Sequence, residues 1–249
     1  MLEKNITTVG AEMSSVIEVN GLTKRFGSLT AVDGITFNVK RGEIFGLLGK
    51  NGAGKTTTVE ILEGFKTCDA GSVSVLGIDP RNADAAWKDR IGLVLQDSDF
   101  EPAHTVRETV SLFAGFFSNP RGVDETLVLV GLADKADERI GRLSGGQKRR
   151  VDVALGIIGS PELLFLDEPT TGFDPSVRRD FWTMLDGLQA TDTSILVDDA
   201  LHGGGPAPLR PNRDPRRRSH RGRRHVLGAH LIGGRHDGTI HAAGHARCR

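Results

Sequence analysis

A glycine-rich segment at residues 49–56 has the spacing of a phosphate-binding loop. It reads Gly-Lys-Asn-Gly-Ala-Gly-Lys-Thr, which matches the pattern G-x-x-x-x-G-K-[ST], and it lies between an apolar run and a helical pattern. Glycines let successive backbone N–H groups converge on phosphate oxygens, and the following helix adds its positive N-terminal end. We expect Lys55 to reach the β- and γ-phosphates of a nucleotide and the Thr56 hydroxyl to ligate Mg²⁺. The predicted nucleotide-binding residues of this loop are Gly49, Lys50, Asn51, Gly52, Ala53, Gly54, Lys55, Thr56 and Thr57.

An acidic pair, Asp167 and Glu168, follows four apolar residues at 163–166. The apolar run predicts a buried strand, so the pair lies at its carboxyl end, where open α/β sheets bind ligands. We expect Asp167 to hold Mg²⁺ through water and Glu168 to polarise the attacking water as general base. The alternatives are a chance glycine-rich turn for the loop and a strand ending in two solvated acids for the pair. Their occurrence together favours a nucleotide site, because nucleotide-bound Mg²⁺ needs a carboxylate partner.

The elements that must position these groups alternate along the chain between strand and helix patterns. Residues 35–39 alternate between apolar and polar types, as a half-buried strand does. Two capping boxes, Thr105 with Glu108 and Ser144 with Gln147, predict the starts of helices. Continuous apolar runs, typical of parallel strands covered on both faces, occupy residues 44–48, 91–95, 163–166 and 195–197.

This alternation predicts an α/β fold of the P-loop NTPase type with a mainly parallel core sheet. We expect a small antiparallel β subdomain over about 16–45 and a helical subdomain over about 98–158. Residues 1–15 form a predicted disordered leader, residues 16–197 the nucleotide-binding domain, and residues 198–249 a tail that we predict to be disordered.

The charge of the chain is unevenly distributed. The 249 residues contain 32 Lys+Arg and 32 Asp+Glu, so the formal net charge is zero. Residues 201–249 hold eleven Arg and two Asp, which leaves 21 basic and 30 acidic residues in the rest of the chain.

No run approaches the roughly 20 apolar residues of a membrane helix. Two cysteines provide no disulfide framework, which suits a reducing cytosol.

The segment Leu-Ser-Gly-Gly-Gln at residues 143–147 separates this sequence from other phosphate-loop proteins. A serine cap, two glycines and a helix make a second anion-binding helix terminus. Here the chain resembles the ATP-binding subunits of ABC transporters, in which LSGGQ is the family signature. Phe26 stands where the family places an adenine-stacking aromatic residue, Gln96 stands at the family's Q-loop, and residues 171–175 resemble its D-loop, with Asp174 as the acidic residue.

The resemblance implies a subunit that binds ATP and Mg²⁺ and hydrolyses ATP to power translocation. Glu168, Lys55 and Gln96 would be catalytic, and Thr56, Gln96 and Asp167 would hold the metal. Two subunits would pair head to tail, so that the signature of one meets the nucleotide of the other. The trans signature residues would be Ser144, Gly145, Gly146 and Gln147.

The implied second partner is a separate transmembrane permease subunit, contacted partly through residues 96–105. The protein would then lie at the cytoplasmic face of the cell membrane, as a peripheral subunit. Residues 46–58 and 169–175 look closest to the export branch of the family. No nucleic-acid partner is expected.

The sequence departs from the family after the apolar run 195–197. The family continues with Thr-Thr-His, whose histidine contacts the γ-phosphate, whereas this chain has Asp198, Asp199 and Ala200. Codons that encode residues 198–205 can be read one base forward as Thr-Thr-His-Tyr-Met-Glu-Glu-Ala, as the family continues. We therefore interpret the tail as a frameshift product. The competing interpretation is a basic tail that binds nucleic acid or anionic lipid, although it lacks aromatic residues for base stacking.

Two other functions stay open at this point. One is a non-transport ABC ATPase acting in DNA repair or translation, although such proteins usually join two ATPase halves or carry a long coiled-coil insertion. The other is a nucleotide-binding subunit with impaired hydrolysis, because the histidine is missing.

Overall fold

A five-stranded parallel sheet forms the centre of the protein in a computed structural model, which describes residues 14–49, 52–96, 99–189, 191–200 and 224–227. The strands are β1 (Ser15–Phe26), β2 (Leu29–Lys40), β3 (Ile44–Gly49), β4 (Ala70–Val75), β5 (Ile91–Val94), β6 (Leu163–Asp167), β7 (Ser194–Ala200) and β8 (Arg224–Leu227). The α-helices are α1 (Lys55–Leu62), α2 (Ala85–Lys88), α3 (Val106–Ala114), α4 (Val123–Leu129), α5 (Gly145–Ile157) and α6 (Pro175–Gln189). Short 3₁₀ turns occupy Pro80–Asn82, Ala133–Lys135 and Ile140–Arg142.

The parallel sheet has the strand order β5-β6-β7-β3-β8, and its strands β6, β7 and β3 bury side chains on both faces. Along β6, Leu164 and Leu166 pack into one core with the helices α3 to α6, whereas Leu163 and Phe165 pack into a second core on the opposite face. Two-sided burial explains why these strands are continuous apolar runs, and the predicted α/β fold with a mainly parallel sheet is confirmed.

A second, antiparallel sheet with the order β2-β1-β4 covers one of these cores. The predicted antiparallel region, about 16–45, contains β1 and β2 but omits the third strand, β4. Strand β4 pairs with β1 through Val19↔Val73 and Ile17↔Val75. Only Val73 and Val75 of β4 are buried, so its glycine and serine residues hid the strand in the sequence pattern.

Helices α3, α4 and α5 lie within the region predicted to be helical, and both capping boxes are confirmed. Thr105 Oγ1 accepts a hydrogen bond from the Glu108 N–H, and the Glu108 carboxylate accepts one from the Thr105 N–H at 2.8 Å. The Ser144–Gln147 pair repeats this arrangement at the start of α5. Within the described residues, no helix is long and apolar enough to cross a membrane.

Near the C-terminal end, the strands of the structure extend beyond the predicted end of the domain at residue 197. Strand β7 continues past residue 197 to Ala200, and β8 at 224–227 pairs in parallel with Ile44–Leu47 of β3. The strand β8 lies inside the segment that was expected to be disordered. The exposed edge of an apolar strand favours pairing with a further strand, and the average composition of the basic segment concealed a four-residue strand. Of the leader predicted over residues 1–15, residues 1–13 lie outside the described part of the chain, and Ser15 already belongs to β1.

Gly92 on β5 marks the closest approach between the parallel sheet and α5. A Cβ at this position would lie 2.1 Å from the backbone oxygen of Gly156. We therefore expect Gly92→Ala to lower the free energy of unfolding by about 3 kcal/mol, because helix and sheet must separate to admit the methyl group. Urea denaturation measures this change.

The matched control is Gly187→Ala in α6, where an added Cβ meets no atom within 4 Å. This control should gain up to about 1 kcal/mol, since alanine favours a helix over glycine. Equal stabilities of the two variants would contradict the close packing of β5 against α5.

Candidate nucleotide-binding site

The glycine-rich loop lies between the carboxyl end of β3 and the start of α1. Gly54 precedes the helix with a left-handed φ of 82°. A Cβ on Gly54 would lie 2.1 Å from the backbone oxygen of Ala31 on β2, so both its conformation and its surroundings require glycine. Gly52 also has a positive φ, of 78°. The neighbouring residues Lys50 and Asn51 lie outside the described part of the chain.

The helix α1 begins at Lys55, so the positive amino end of the helix and the lysine lie at the same position. The Lys55 side chain is only 6% exposed. Thr56 is exposed and Thr57 is half-buried. The exposed Thr56 hydroxyl is therefore free of core packing and accessible to a ligand.

Lys55 forms an ion pair with a carboxylate on the neighbouring strand β7. Its Nζ lies 3.9 Å from Oδ1 of Asp198, whose side chain is 3% exposed. Asp198 on β7 is in register with Asp167 on β6, and both follow apolar runs at the same edge of the sheet. Asp167 was predicted here from the sequence, whereas Asp198 was considered only as a departure from the family. The same pattern, an acid after a buried strand, would have identified it.

The pKa of Asp167 is raised above its ordinary value, mainly by burial and next by the charge of Glu168, while Arg149 and Lys55 oppose the shift. Its carboxylate and the Thr56 hydroxyl are oxygen donors of the kind that Mg²⁺ prefers. An excess of negative charge at the edge of the sheet also fits a divalent cation, so the residues present fit Mg²⁺.

Glu63, near the end of α1, belongs to the same acidic surroundings and was missed by the sequence analysis. Burial raises its pKa to about 7, and the charges of Asp167, Glu60 and Asp198 add to the shift. Nothing in its sequence neighbours separates Glu63 from an ordinary helix glutamate, because the groups that perturb it include carboxylates more than a hundred residues away.

Glu168 and Gln96, which are 72 residues apart, meet at the ends of adjacent strands. Gln96 Nε2 donates to Oε2 of Glu168 at 3.4 Å, and the Thr171 hydroxyl donates to the same oxygen at 3.0 Å. The Glu168 N–H donates to the backbone oxygen of Asp198 at 2.9 Å. Glu168 also has a φ of 39°, a left-handed conformation that is unfavourable for a non-glycine residue. Its backbone is therefore held by its surroundings.

Arg149 of α5 joins these strand ends. The side chain is 8% exposed, and its guanidinium donates to the backbone oxygens of Leu95 and of Asp167, the latter at 2.6 Å. It also forms an ion pair with Asp152 at 3.5 Å. Arg149 was not predicted from the sequence, in which it looks like an ordinary charged residue of the helix. It fixes the residues that flank Gln96 and Glu168.

The signature segment opens α5 beside Glu168. Ser144, Gly145 and Gly146 line a cleft of about 590 Å³ together with Gln96 and Glu168. The wall of this cleft also includes Asp174 of the predicted D-loop. The structure thus brings the signature, Q-loop and D-loop residues to one surface.

Asp174 has a structural role in this wall. Its carboxylate accepts hydrogen bonds from the N–H groups of Ser176 and Val177, at 2.8 and 3.0 Å, at the start of α6. The hydrogen bond from the Ser176 hydroxyl, and next these two backbone bonds, lower the pKa of Asp174. The aspartate therefore remains an ionised cap of the helix.

Phe26 lies at the end of β1 and is 44% exposed. The Nζ atoms of Lys24 and Lys66 lie 5.5 and 5.7 Å from the centre of its ring. The ring is thus an exposed aromatic surface with two cations nearby, and aromatic side chains of this kind can stack against a base.

The raised pKa of Glu63 has a consequence for stability. Folding takes up a proton between the ordinary pKa of a glutamate and about 7, so stability should fall as the pH rises through this interval. We expect Glu63→Gln to raise the free energy of unfolding by roughly 2 kcal/mol at pH 8 and by less than about 0.5 kcal/mol at pH 5. Urea denaturation without divalent cations measures both values.

Glu125→Gln is the control, because Glu125 is 63% exposed and its ion pair with Arg121 has a long distance of 3.4 Å. Its effect should stay within about 0.5 kcal/mol at both pH values. A pH-independent effect of Glu63→Gln would contradict the raised pKa.

Comparisons with known proteins agree with this geometry. The family model described as ABC transporter matches residues 32–171, more than half of the chain. The chain is 41% identical over 194 residues to the Nod factor export ATP-binding protein I of Ralstonia nicotianae, covering 76% of this chain and 60% of the relative. It is 40% identical over 186 residues to the protein of that name from Burkholderia orbicola, covering 73% and 61%. The chain thus spans about three fifths of the length of these relatives.

Solved structures show the same fold. The cbiO1 protein of Clostridium perfringens, part of the ABC transporter complex cbiONQ, is 28% identical with a TM-score of 0.68, covering 75% of this chain and 78% of that chain. An ATP-binding cassette of an ABC transporter in its ADP conformation is 24% identical with a TM-score of 0.66, covering 75% and 82%, and supports the fold alone. The glycine-rich loop, the acidic pair at the carboxyl edge of the sheet and the LSGGQ segment at the start of a helix lie together in this fold. The chain therefore belongs to the ABC transporter family of ATP-binding proteins.

Proposed function

We propose that the chain is an ATP-binding and ATP-hydrolysing subunit that powers export through a separate transmembrane partner, at the cytoplasmic face of the membrane. One observation carries this proposal. Lys55 lies against the acidic residues at the carboxyl edge of the sheet, where Glu168 and Gln96 are also hydrogen-bonded to each other. The export direction is supported by the names of the relatives, which are export ATP-binding proteins.

In this proposal, the loop between β3 and α1 binds the phosphates. Its backbone N–H groups and Lys55 neutralise phosphate charge, and Phe26 stacks on the adenine base. Thr56, Gln96 and Asp167 hold Mg²⁺, with Asp167 acting through water. When bound, Mg²⁺ supplies positive charge that stabilises the leaving phosphate oxygens. The loop residues involved are Gly49, Lys50, Asn51, Gly52, Ala53, Gly54, Lys55, Thr56 and Thr57.

Glu168 is the proposed general base. Its carboxylate lies beside Gln96 and Thr171, which orient it, and its constrained backbone keeps it at the strand end. From there Glu168 takes up a proton as water attacks the γ-phosphate in line. Because little covalent chemistry falls to the protein in phosphoryl transfer, positioning and charge account for most of the rate.

The signature residues act on a second subunit in this proposal. Ser144, Gly145 and Gly146 line an open cleft, so a partner's nucleotide can approach the start of α5 from outside. Gln147 holds Ser144 in place through the capping box, and Asp174 fixes the opposite wall. We infer a head-to-tail pair of ATP-binding subunits, identical or different.

The transmembrane partner is proposed to dock beside the helical region, partly through residues 96–105. Large apolar side chains are exposed near this region, with Leu112 57% and Phe116 72% exposed on and just after α3. Exposed apolar surface of this kind often marks a protein interface. Copurification with a polytopic membrane protein would separate this function from a non-transport ATPase.

A second candidate function, nucleotide binding with impaired hydrolysis, is favoured by the end of β7. Ala200 occupies the family's histidine position and is in register with Gly49 at the start of the phosphate-binding loop. An alanine side chain has no hydrogen-bonding group and cannot replace the family's histidine. Ala200→His should raise ATP turnover if the missing histidine limits it, whereas unchanged turnover would count against this second candidate.

We also propose that residues 198–249 are a frameshift product that was not selected as protein, and that the family's ATP-binding domain ends at Val197. The change in charge and composition at this point supports a shifted reading frame. Resequencing the gene across codons 195–200 tests it, and an intact frame there would overturn this proposal.

The proposed base gives a direct prediction. Glu168→Gln should keep Mg²⁺-ATP binding within about threefold of the unmodified chain and lower the ATP turnover at least tenfold, because it removes the proton acceptor but keeps the shape. A phosphate-release assay and equilibrium binding measure the two effects.

Glu125→Gln, on the exposed face of α4, serves as the control and should leave turnover unchanged. Unaltered turnover in Glu168→Gln would overturn the proposed role of Glu168.

A further inference from the structure

Lys55, the cation that should bind the nucleotide phosphates, is already part of a buried ion pair. Lys55 and Asp198 are 6% and 3% exposed, and their charged atoms lie 3.9 Å apart. Asp198 is in register with Leu47 on β3 and with Asp167 on β6. Asp198 therefore lies on the strand between the one that leads into the phosphate-binding loop and the one that carries the proposed metal-binding acid.

Such a carboxylate has the same charge as a phosphate group and competes for the same partner. A cation in a poorly solvated place interacts strongly with a neighbouring anion, because water screens the pair weakly. If nucleotide phosphate approaches Lys55, it must share the lysine with Asp198 and also meets the negative charge of that carboxylate. Both effects weaken the binding of a phosphate chain.

The charges around the pair increase this effect. Glu60, Glu63 and Asp167 act electrostatically on one another in this region, while the cations acting on Asp167 are Lys55 and Arg149. Arg149 is already bonded to the backbone oxygens of Leu95 and Asp167. Among the described residues, the carboxyl groups of this region thus outnumber its cations, and a divalent cation would offset the difference.

We propose that Asp198 is an internal competitor of the nucleotide phosphates for Lys55, which lowers the affinity for di- and triphosphates and makes their binding depend on a divalent cation. The inference rests on the proposed nucleotide-binding function and deepens it. Asp198 acts through Lys55. It is a positioning residue that lowers the affinity for nucleotide.

The test compares the full chain with its Asp198→Asn variant in equilibrium titrations of AMP, ADP and ATP, each with EDTA and with Mg²⁺. In EDTA, ADP and ATP should bind the variant at least about tenfold more tightly, because Lys55 is released from its competitor. AMP, which has no β-phosphate to reach Lys55, should change less than about twofold. With Mg²⁺, the gain for ATP should be smaller than in EDTA.

Asp137→Asn is the matched control, since it removes the same charge from a side chain that is 83% exposed and pairs with Arg107. Its nucleotide affinities should equal those of the unmodified chain. Thermal denaturation verifies that the variants are folded, and Asp198→Thr replaces Asp198→Asn if the asparagine variant unfolds.

Unchanged ADP and ATP affinities in a folded Asp198 variant would overturn the competition, as would an equal gain for AMP. Either result leaves the proposed function intact, because ATP still binds. Absence of ATP binding by the chain and by the variant would overturn the proposed function, and the competition with it.

Discussion

Charge compensation at the carboxyl edge of the parallel sheet is the constraint on which the rest of the structure depends. Three neighbouring strands, β6, β7 and β3, deliver Asp167, Asp198 and the loop before Lys55 to that edge. A buried lysine and buried carboxylates are each costly alone, and each lowers the cost of the other when paired. Three features keep these charges in one arrangement. The strands are buried by apolar side chains on both faces, Gly54 lets β2 approach the loop, and the guanidinium of Arg149 binds the strand ends.

The elements that sequence reasoning predicted well are those whose signal is local. The runs 163–166 and 195–197 are continuous because both faces of β6 and β7 are covered, and the sequence shows this directly. The capping boxes at Thr105 and Ser144 are defined by residues three positions apart, so the helix starts could be located from the sequence. The glycine-rich loop is likewise a local pattern.

The parts that could not be predicted depend on long-range contacts. Strand β4 has only two buried residues and is held by its pairing with β1, which the sequence pattern does not record. Arg149 and Glu63 look like ordinary helix residues until the strand ends of β5, β6 and β7 are assembled around them. Asp198 is an intermediate case, because its place after an apolar run was visible, while its distance to Lys55 was not.

The account is tested most directly by measuring the dissociation constant of Mg²⁺-ATP for two variants, Asp198→Asn and the double variant Lys55→Met with Asp198→Asn. Removing both partners avoids leaving a buried charge alone, so a difference between the variants reports the lysine. The account predicts that the double variant, still folded, binds ATP at least about tenfold more weakly than the single variant. Equal dissociation constants would contradict the assignment of Lys55 as the cation that binds the phosphates.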